Sequence, residues 1–314
     1  MVALVLGPRH GFEPGRKMCQ MIPAPAHMLS ITEKKPHNIP MATIGAALLW
    51  VGWFGFNAGS ALTSGSIPGH TILTTHIAAC ICGCVWVGLS WLLSKDEEGR
   101  RRPSYVEALN GVVAGLAGIT PASGFVSSQS GFAIGAMLGF LSFFSVKLIK
   151  CTLLIDDALD VSSVHGVTGM FGSLMVGFFS SSAVNPAVLD GLFFGGDATQ
   201  LGHQAVGVVC AGLWSLVWTL VICFFLEKTL GFRVSLSDEL IGLDTSQHGE
   251  TARIHDITVT NTTVKHPEAF WQEMSKHGRN DGDTLPKAHV KDPDAATNTK
   301  AFDNHAALGG VTIV

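Results

Sequence analysis

Long uncharged segments alternate with short polar loops along most of this chain. Residues 41–94 contain no Asp, Glu, Lys or Arg, and the turn-forming residues 64–69 divide them into two segments of about 20 residues or more. Further apolar segments follow at 105–121, 132–149, about 161–179 and about 204–226. The pattern predicts an all-α, polytopic helical membrane protein with six transmembrane helices.

The positively charged residues are sorted between alternate loops. If the six helices alternate in direction, the loops at 65–70, 122–131 and 180–203 face one side, and none contains Lys or Arg. The opposite side receives Arg9, Arg16, Lys17, Lys34, Lys35, Lys95, Arg100, Arg101, Arg102, Lys147, Lys150, Lys228 and Arg233. The positive-inside rule makes this second side cytoplasmic, so we expect both termini in the cytoplasm.

The composition is typical of a membrane protein. Of the 314 residues, 47% are hydrophobic and 14% are charged, whereas soluble domains carry roughly a quarter charged residues. The net charge of −4 argues against nucleic acid as a partner. We interpret 1–40 as a cytoplasmic segment that starts with the end of a truncated helix, 41–226 as the membrane domain, and 227–314 as a cytoplasmic tail. The tail is expected to be ordered over 233–253 and mostly disordered beyond.

One histidine stands inside the uncharged part of the segment 156–179. The segment opens with three aspartates, and His165 is followed by glycines at 166, 169, 172 and 177. Glycine costs about 1 kcal/mol in a helix interior relative to alanine. A strip of glycines therefore predicts either a second backbone close by or an open lumen. An imidazole at membrane depth is a candidate functional group, although a histidine that only packs the helix fits the spacing equally well.

An aromatic and hydroxyl stripe is predicted on an earlier helix. Trp53, Phe56 and Ser60 follow one another at i, i+3 and i+7, which places them on one helix face. An aromatic face attracts a cation by up to about 2 kcal/mol when desolvated. From the spacing alone, an ordinary aromatic packing face is the simpler interpretation.

Cysteine spacing does not indicate a metal site. Cys80, Cys82 and Cys84 are two residues apart, and such positions on a helix point to different sides. We therefore expect buried thiols, with no metal and no cofactor. No nucleophile–base pair or phosphate-binding loop is apparent, so no enzymatic activity is expected.

Several strings together resemble the signatures of the ammonium transporter family (the Amt/Mep/Rh proteins). They are Gly52–Ser60 (GWFGFNAGS), Asn110-Gly111 with Ile119-Thr120-Pro121-Ala122, Asp160 with Val164-His165-Gly166, and Gly242-Leu243-Asp244 with His248-Gly249-Glu250. They occur in the family's order, and the resemblance covers roughly residues 3–253. It implies the second half of an inverted-repeat fold plus the last long helix, with the first five of eleven helices absent.

The resemblance also implies residue roles. Phe56 matches one of two stacked phenylalanines that gate the pore, and Ser60 matches the hydroxyl of the outer ammonium site, on the face that Trp53 shares. His165 matches the second of two pore histidines. Residues implied to be structural near the pore are Asp160, Asn57, Gly166 and Gly169.

Three other polar positions receive structural interpretations. Asp160 lies five residues before His165, where its carboxylate can cap the helix and complement the helix dipole. His76 resembles a helix-packing position of the family. His203, at the start of the last span, fits an interfacial cap better than a ligand.

The tail carries a segment that the family uses for regulation. Its matching residues are Gly242, Asp244, Ser246, His248, Gly249 and Glu250. In the family this segment packs across the neighbouring subunit of a trimer and couples the pores. Ser246 aligns with a hydroxyl residue that plant relatives phosphorylate, and added charge there could break the docking.

The combined expectation is transmembrane transport of ammonium or ammonia. Ammonium would be recruited and deprotonated at the outer aromatic site and would pass along a hydrophobic pore containing His165. The alternatives are a non-conducting sensor or regulatory subunit and an incomplete transporter fragment, and we expect the chain alone to transport poorly. Expected partners are ammonium or ammonia, the lipid bilayer, and either identical copies in a trimer or full-length relatives. The expected location is the plasma membrane.

Overall fold

The fold comes from a computed structural model, which describes residues 2–9, 38–94, 100–231, 233–235, 238–239 and 242–249. Over these residues the α-helices are α1 (Val2–Leu6), α2 (Ile39–Gly59), α3 (Ser66–Leu93), α4 (Tyr105–Ile119), α5 (Ser128–Lys147), α6 (Thr168–Phe179), α7 (Thr199–Thr229) and α8 (Leu243–His248). A π-helical turn, π1 (Leu148–Thr152), continues α5, and a second, π2 (Ser162–Val167), leads directly into α6. A short 3-10 turn, Leu192–Phe194, lies in the loop before α7.

The six predicted spans coincide with six helical runs. Within the described residues, α2, α3, α5 with π1, and α7 are each long and apolar enough to cross a membrane. α4 is apolar but has only 15 residues, which at 1.5 Å per residue is about 22 Å. π2 and α6 together supply the sixth run. The predicted all-α fold class is confirmed, while the direction of each helix across the membrane stays a prediction.

Side-chain caps help to determine where the apolar helices begin. The side chain of Asn38 accepts a hydrogen bond from the Met41 amide at 2.9 Å. Ser127 Oγ accepts one from the Ser130 amide at 3.1 Å. Each cap satisfies an amide that has no partner inside the first helical turn, so the chain turns into a helix at these polar residues.

The core lies where α3, α4 and α5 meet. A Cβ built on Gly115 would lie 2.7 Å from the Cβ of Cys82, and one built on Gly135 would lie 2.8 Å from the Cα of Ala78. The helices therefore approach each other closely, as helices with small interface residues do in membranes. Trp86 of α3 is part of this core and is tied to α5, because its Nε1 donates to Ser142 Oγ at 2.7 Å.

On α3, Cys82 points to a different side from Cys80 and Cys84, which are four residues apart and share one face. Cys82 is buried, Cys80 is half-buried and Cys84 is exposed, so the expectation of buried thiols is wrong for Cys84, whose helix face is turned away from the core. Among the residues that the structure describes, no group of three or more His, Cys, Asp or Glu side chains is arranged to hold a metal ion.

Candidate functional site

His165 lies within π2, close to where this turn joins α6. π-helical turns are rare and occur frequently at functional sites, because the extra residue in the turn changes the direction of the side chains around it. Val164 and Thr168 are buried on either side of His165 in sequence, whereas His165 itself is exposed. The local fold therefore buries the neighbours of this imidazole against the bundle and leaves the ring accessible.

The glycine strip beyond His165 has two different environments. A Cβ on Gly166 or Gly169 would meet nothing within 4 Å. A Cβ on Gly172 would overlap the carbonyl oxygen of Gly118, and one on Gly177 would lie 2.5 Å from the Cα of Leu201. Both predicted explanations for the glycines are therefore correct, each for half of the strip. The half beside His165 is open, and the half beyond it packs against other backbones.

Trp53 of α2 stacks on the His165 ring. The ring centroids are 6.3 Å apart and the planes differ by 16°. Trp53 is held in place by its indole Nε1, which donates to Thr120 Oγ1 at 2.8 Å, and Thr120 in turn donates to the Leu116 carbonyl. Two residues that are 112 positions apart in the sequence therefore share one site, and the end of α4 orients the aromatic ring.

Phe56 and Ser60 continue from Trp53 along α2. Phe56 meets Trp53 edge to face with centroids 6.0 Å apart, and its side chain is 62% exposed. Ser60 follows the last helical residue and donates its hydroxyl hydrogen to the Phe56 carbonyl at 2.8 Å. The predicted stripe thus starts at Trp53, which stacks on His165, and continues through Phe56 to Ser60 at the end of α2.

His165 also lines an open cavity of about 360 Å³ between the glycine strip and α7. From the first side it is lined by His165, Gly166, Gly169, Met170 and Ser173, and from α7 by Gln204, Gly207, Val208, Ala211, Gly212 and Ser215. The lining is mainly small and apolar, with a few hydroxyl and amide groups. Such a cavity can accept a small molecule beside the imidazole without placing a charged side chain next to it.

The sequence interpretation missed the contributions of α4 and α7. In the sequence, Thr120 stands out only as part of a family string, and no motif includes Gln204 or Ser215. A signal was present, since Gln204, Gly207, Ala211 and Ser215 recur at spacings of three and four residues on one helix face. Thr120 carried no such signal, because its role depends on the side chain that it meets.

Asn57 and His76 lie outside this site. Asn57 is buried and donates its amide hydrogen to Thr75 Oγ1 at 3.0 Å, which joins α2 to α3. His76 packs against Trp50 and Phe54, with ring centroids 5.4 Å and 5.8 Å away. Both therefore contribute to the packing of α2 against α3.

The aspartates before π2 divide two tasks between them. The carboxylate of Asp157 accepts a hydrogen bond from the Ser162 amide at 2.6 Å, so Asp157 supplies the side-chain cap that the sequence interpretation assigned to Asp160. Asp160 has a left-handed backbone, with φ of 56°, and its carboxylate pairs with Lys150 Nζ at 2.6 Å. The difference arises because the chain turns at Asp160 and directs that side chain towards π1.

The environments of these two carboxylates shift their pKa values in opposite directions. Burial alone raises the pKa of Asp157, but hydrogen bonds from Ser162 and Val161, together with the charge of Lys150, bring it below its ordinary value. Burial also raises the pKa of Asp160, and the attraction of Lys150 offsets this only in part.

The tail residues form a separate short element. Gly242 and Gly249 have positive φ angles of 98° and 67°, and they flank α8, which contains Asp244, Ser246 and His248. Ser246 is half-buried and donates its hydroxyl hydrogen to the Asp238 carbonyl at 3.3 Å. Glu250, and the expected disordered remainder of the tail, lie outside the described residues.

Comparisons with known proteins place this chain in a family. The family described as Ammonium Transporter Family matches residues 1–253. Ammonium transporter 1 of Dictyostelium discoideum is 47% identical over 227 residues, which are 72% of this chain and 47% of that relative. Ammonium transporter Amt1 of Archaeoglobus fulgidus is 35% identical over 251 residues, which are 80% of this chain and 57% of that relative.

Solved structures agree with these relatives. A protein described as "Sensor Amt Protein" is 30% identical with a TM-score of 0.64, over 78% of this chain and 55% of that chain. Mep2 of Saccharomyces cerevisiae is 32% identical with a TM-score of 0.59, over 64% of this chain and 45% of that chain. The chain spans about half the length of the curated relatives it matches. On these matches and its apolar helices, the chain is an integral membrane protein that belongs to the ammonium transporter family.

Proposed function

We propose that this chain takes part in the transport of ammonium or ammonia across a membrane, with His165 as the central pore residue. The observation that carries the proposal is the position of the His165 ring, which stacks on Trp53 and lines the cavity beside α7. Membership of the ammonium transporter family supports the substrate. Ammonium would first meet Phe56, Ser60 and Trp53, and then His165.

The aromatic groups attract the cation, and the imidazole accepts from it. A charge at the bilayer centre costs at least about 2.5–3.5 kcal/mol on insertion scales, so an ammonium ion must lose its proton or exchange its water for new partners. Trp53 and Phe56 can offset part of this cost through cation–π attraction. A neutral imidazole can accept a hydrogen bond from ammonium or ammonia and can pass on a proton. Potassium has no proton, so it can neither donate a hydrogen bond to the imidazole nor become neutral by deprotonation. An apolar path therefore excludes potassium.

The surroundings of His165 suit a small uncharged permeant. The open faces of Gly166 and Gly169 leave space beside the ring. Gln204 and Ser215 are the α7 side chains in the cavity lining that can form hydrogen bonds through side-chain atoms. The path would therefore be mostly apolar with a few hydrogen-bonding positions.

The test compares two substitutions at His165. His165→Leu removes the acceptor, so uptake should fall about ten-fold or more, by analogy with the loss of a positioned proton acceptor. His165→Glu keeps an acceptor and should retain some uptake, but its fixed charge should weaken discrimination against potassium. Ammonium uptake and potassium competition are measured in cells lacking ammonium transporters. The chain is expressed alone and fused after the amino-terminal half of the Dictyostelium relative.

The control is His203→Leu, which changes an exposed histidine that is not part of the cavity lining. It should leave uptake unchanged at matched surface amounts. A packing role for His165 predicts a different order, with leucine mild, glutamate severe and selectivity unchanged. Parental uptake by His165→Leu would refute the pore assignment.

A second candidate function is ammonium sensing without transport. It is favoured by the structural likeness to the protein described as "Sensor Amt Protein", which extends over 78% of this chain. A sensor should bind ammonium, and binding should depend on Trp53 and Phe56, while no uptake occurs in either format. Uptake that requires His165 would exclude this alternative.

We also propose that the chain works in a homotrimer or together with longer relatives, at the plasma membrane with both termini in the cytoplasm. The extensive apolar surfaces of α2 and α7 can contact lipid or other helices. Cysteines introduced at Gly69, Gly124 or Asn185 should react with an external impermeant reagent, and one at Gly99 should not. Cross-linking in native membranes would measure the number of subunits.

A further inference from the structure

The loop between π1 and π2 is a tightly turned segment with several charged contacts. It contains Leu154 and Asp160, whose φ angles of 54° and 56° are uncommon for residues other than glycine. Such conformations persist where surrounding contacts hold them in place. The loop leads directly into π2, so the position of the loop also determines the position of His165.

Arg9, which is distant in sequence, binds this loop through Asp156. Its Nε and Nη2 each donate to the carboxylate of Asp156 at 2.6 Å, and its backbone amide donates to the same carboxylate at 2.9 Å. The Asp156 side chain is only 2% exposed, whereas that of Arg9 is 42% exposed. The Asp156 carboxylate is therefore buried in a bidentate ion pair with Arg9. This geometry fixes the direction of the contact between the two side chains as well as its length.

A short series of bonds connects Asp156 to His165. The next residue, Asp157, caps the Ser162 amide at the start of π2. The carbonyl of Asp160 accepts from the Ser163 and Val164 amides at 3.0 Å and 2.8 Å. His165 is the next residue along this turn. A shift of Asp156 would therefore be transmitted through the Asp157 cap to the imidazole.

We propose that Arg9 is a positioning residue for His165, acting through its ion pair with Asp156 and the turn that follows. The proposal rests on the transport role proposed for His165. Arg9 is not among the residues that line the cavity beside His165. Its effect is to hold π2 in the position in which the His165 ring stacks on Trp53. Arg233, from the tail, stabilises the segment that carries Arg9, because its Nη2 donates to the carbonyl of the preceding residue, Pro8, at 2.8 Å.

The first test measures the position of His165 without transport. Diethyl pyrocarbonate modifies accessible histidines, and mass spectrometry gives the rate at each one in the purified 314-residue chain. Arg9→Ala and Asp156→Ala should each raise the rate at His165 by several-fold, while the rate at His203 stays constant. Arg101→Ala removes an exposed arginine and should change neither rate. An unchanged rate at His165 in Arg9→Ala would overturn the proposal.

The second test measures uptake in the fused chain described above. A small misplacement of a reacting group can cost about 10²-fold in rate, so maximal uptake by Arg9→Ala should fall by roughly ten-fold or more with little change in half-saturation. Combining Arg9→Ala with Asp156→Ala should be no worse than either alone. Arg9→Lys should recover only part of the loss, because an ammonium group cannot make the bidentate pair.

The two tests separate the failure of this proposal from the failure of the proposed function. Faster labelling of His165 with parental uptake would overturn the positioning role. A parent without uptake would refute the transport function alone, and the labelling rate would still decide whether Arg9 holds His165. If Arg9→Ala does not reach the membrane, the exchanged pair Arg9→Asp with Asp156→Arg should restore both labelling and uptake, and failure with normal surface amounts would count against the proposal.

Discussion

α5 and α7 are both long apolar helices with regularly spaced glycines, yet their surroundings are opposite. Eleven of the 20 residues of α5 are buried, whereas only Gln200 and Cys223 are buried among the 31 residues of α7. A Cβ on Gly131, Gly135 or Gly139 of α5 would lie within 2.8 Å of a neighbouring atom. A Cβ on Gly202, Gly207 or Gly212 of α7 would meet nothing within 4 Å.

The contrast shows that hydrophobicity and glycine spacing do not report burial in a membrane protein. Lipid is as apolar as a protein interior, so an apolar helix face loses little by remaining outside the core. On α5 the glycines allow other helices to approach, and this packing stabilises the fold. On α7 the glycines leave space, and that space forms one wall of the cavity beside His165. Similar sequence features thus support stability on one helix and a candidate site on the other.

The largest expected effect comes from comparing a tryptophan of the core beside α5, Trp86 of α3, with an exposed tryptophan of α7. Trp86→Ala leaves a cavity in the core and removes the hydrogen bond to Ser142, so it should cost about 3–5 kcal/mol. Trp214 of α7 is 68% exposed, and Trp214→Ala should change stability by roughly 0.5 kcal/mol. Thermal unfolding in detergent measures both. Equal losses would mean that Trp214 of α7 is packed as tightly as Trp86 of α3 in the core beside α5.

A glycine pair tests the contrast at the smallest scale. Gly135→Ala places a Cβ 2.8 Å from the Ala78 backbone, so overpacking should cost about 1–3 kcal/mol. Gly207→Ala adds its methyl group in open space, and the better helix propensity of alanine should stabilise by up to about 1 kcal/mol. The unfolding temperatures should therefore move in opposite directions. A decrease of the same size for both would contradict the described environments.

Asp160 extends the comparison to a charged residue that contacts π1, the continuation of the packed helix α5. Its left-handed backbone is tolerated by asparagine better than by alanine. Asp160→Asn should therefore cost less than Asp160→Ala, by roughly 1 kcal/mol. Both variants lose the charge pair with Lys150, so the difference combines the backbone preference with any hydrogen bond that the asparagine amide keeps to Lys150. Equal unfolding temperatures for the two variants would show that the turn does not constrain this residue.

The smallest expected effect is a pH dependence that distinguishes a buried carboxylate from an exposed one. The folded-state pKa of Asp157 lies below its unfolded value, so its stabilisation is complete above about pH 4 and is lost as the pH falls through the folded-state pKa. The difference in unfolding temperature between the parent and Asp157→Asn should shrink over that range. Asp197 serves as the contrast, because hydrogen bonds from Thr199 lower its pKa as well but the carboxylate is fully exposed, so Asp197→Asn should change the pH profile less than Asp157→Asn does. Identical profiles for both variants would contradict the expectation.

The sequence by itself determined the fold class and the approximate helices. Uncharged segments of spanning length have few alternatives in a membrane, because unpaired backbone groups are too costly in lipid and a helix satisfies them internally. The stripe from Trp53 to Ser60 also followed from helix periodicity, as did the separation of Cys82 from Cys80 and Cys84. These features depend on local spacing, which the order of residues specifies directly.

Only the tertiary structure decided how the separate helices combine into a site. The stacking of Trp53 on His165, the orientation of Trp53 by Thr120 and the cavity wall from α7 join residues that are far apart in sequence. Likewise, Asp157 rather than Asp160 caps the Ser162 amide, and this depends on the left-handed backbone of Asp160. The glycines after His165 show the reason most simply. Gly169 and Gly172 are alike in sequence, but one faces open space and the other faces Gly118, and only the packing of α4 against α6 distinguishes them.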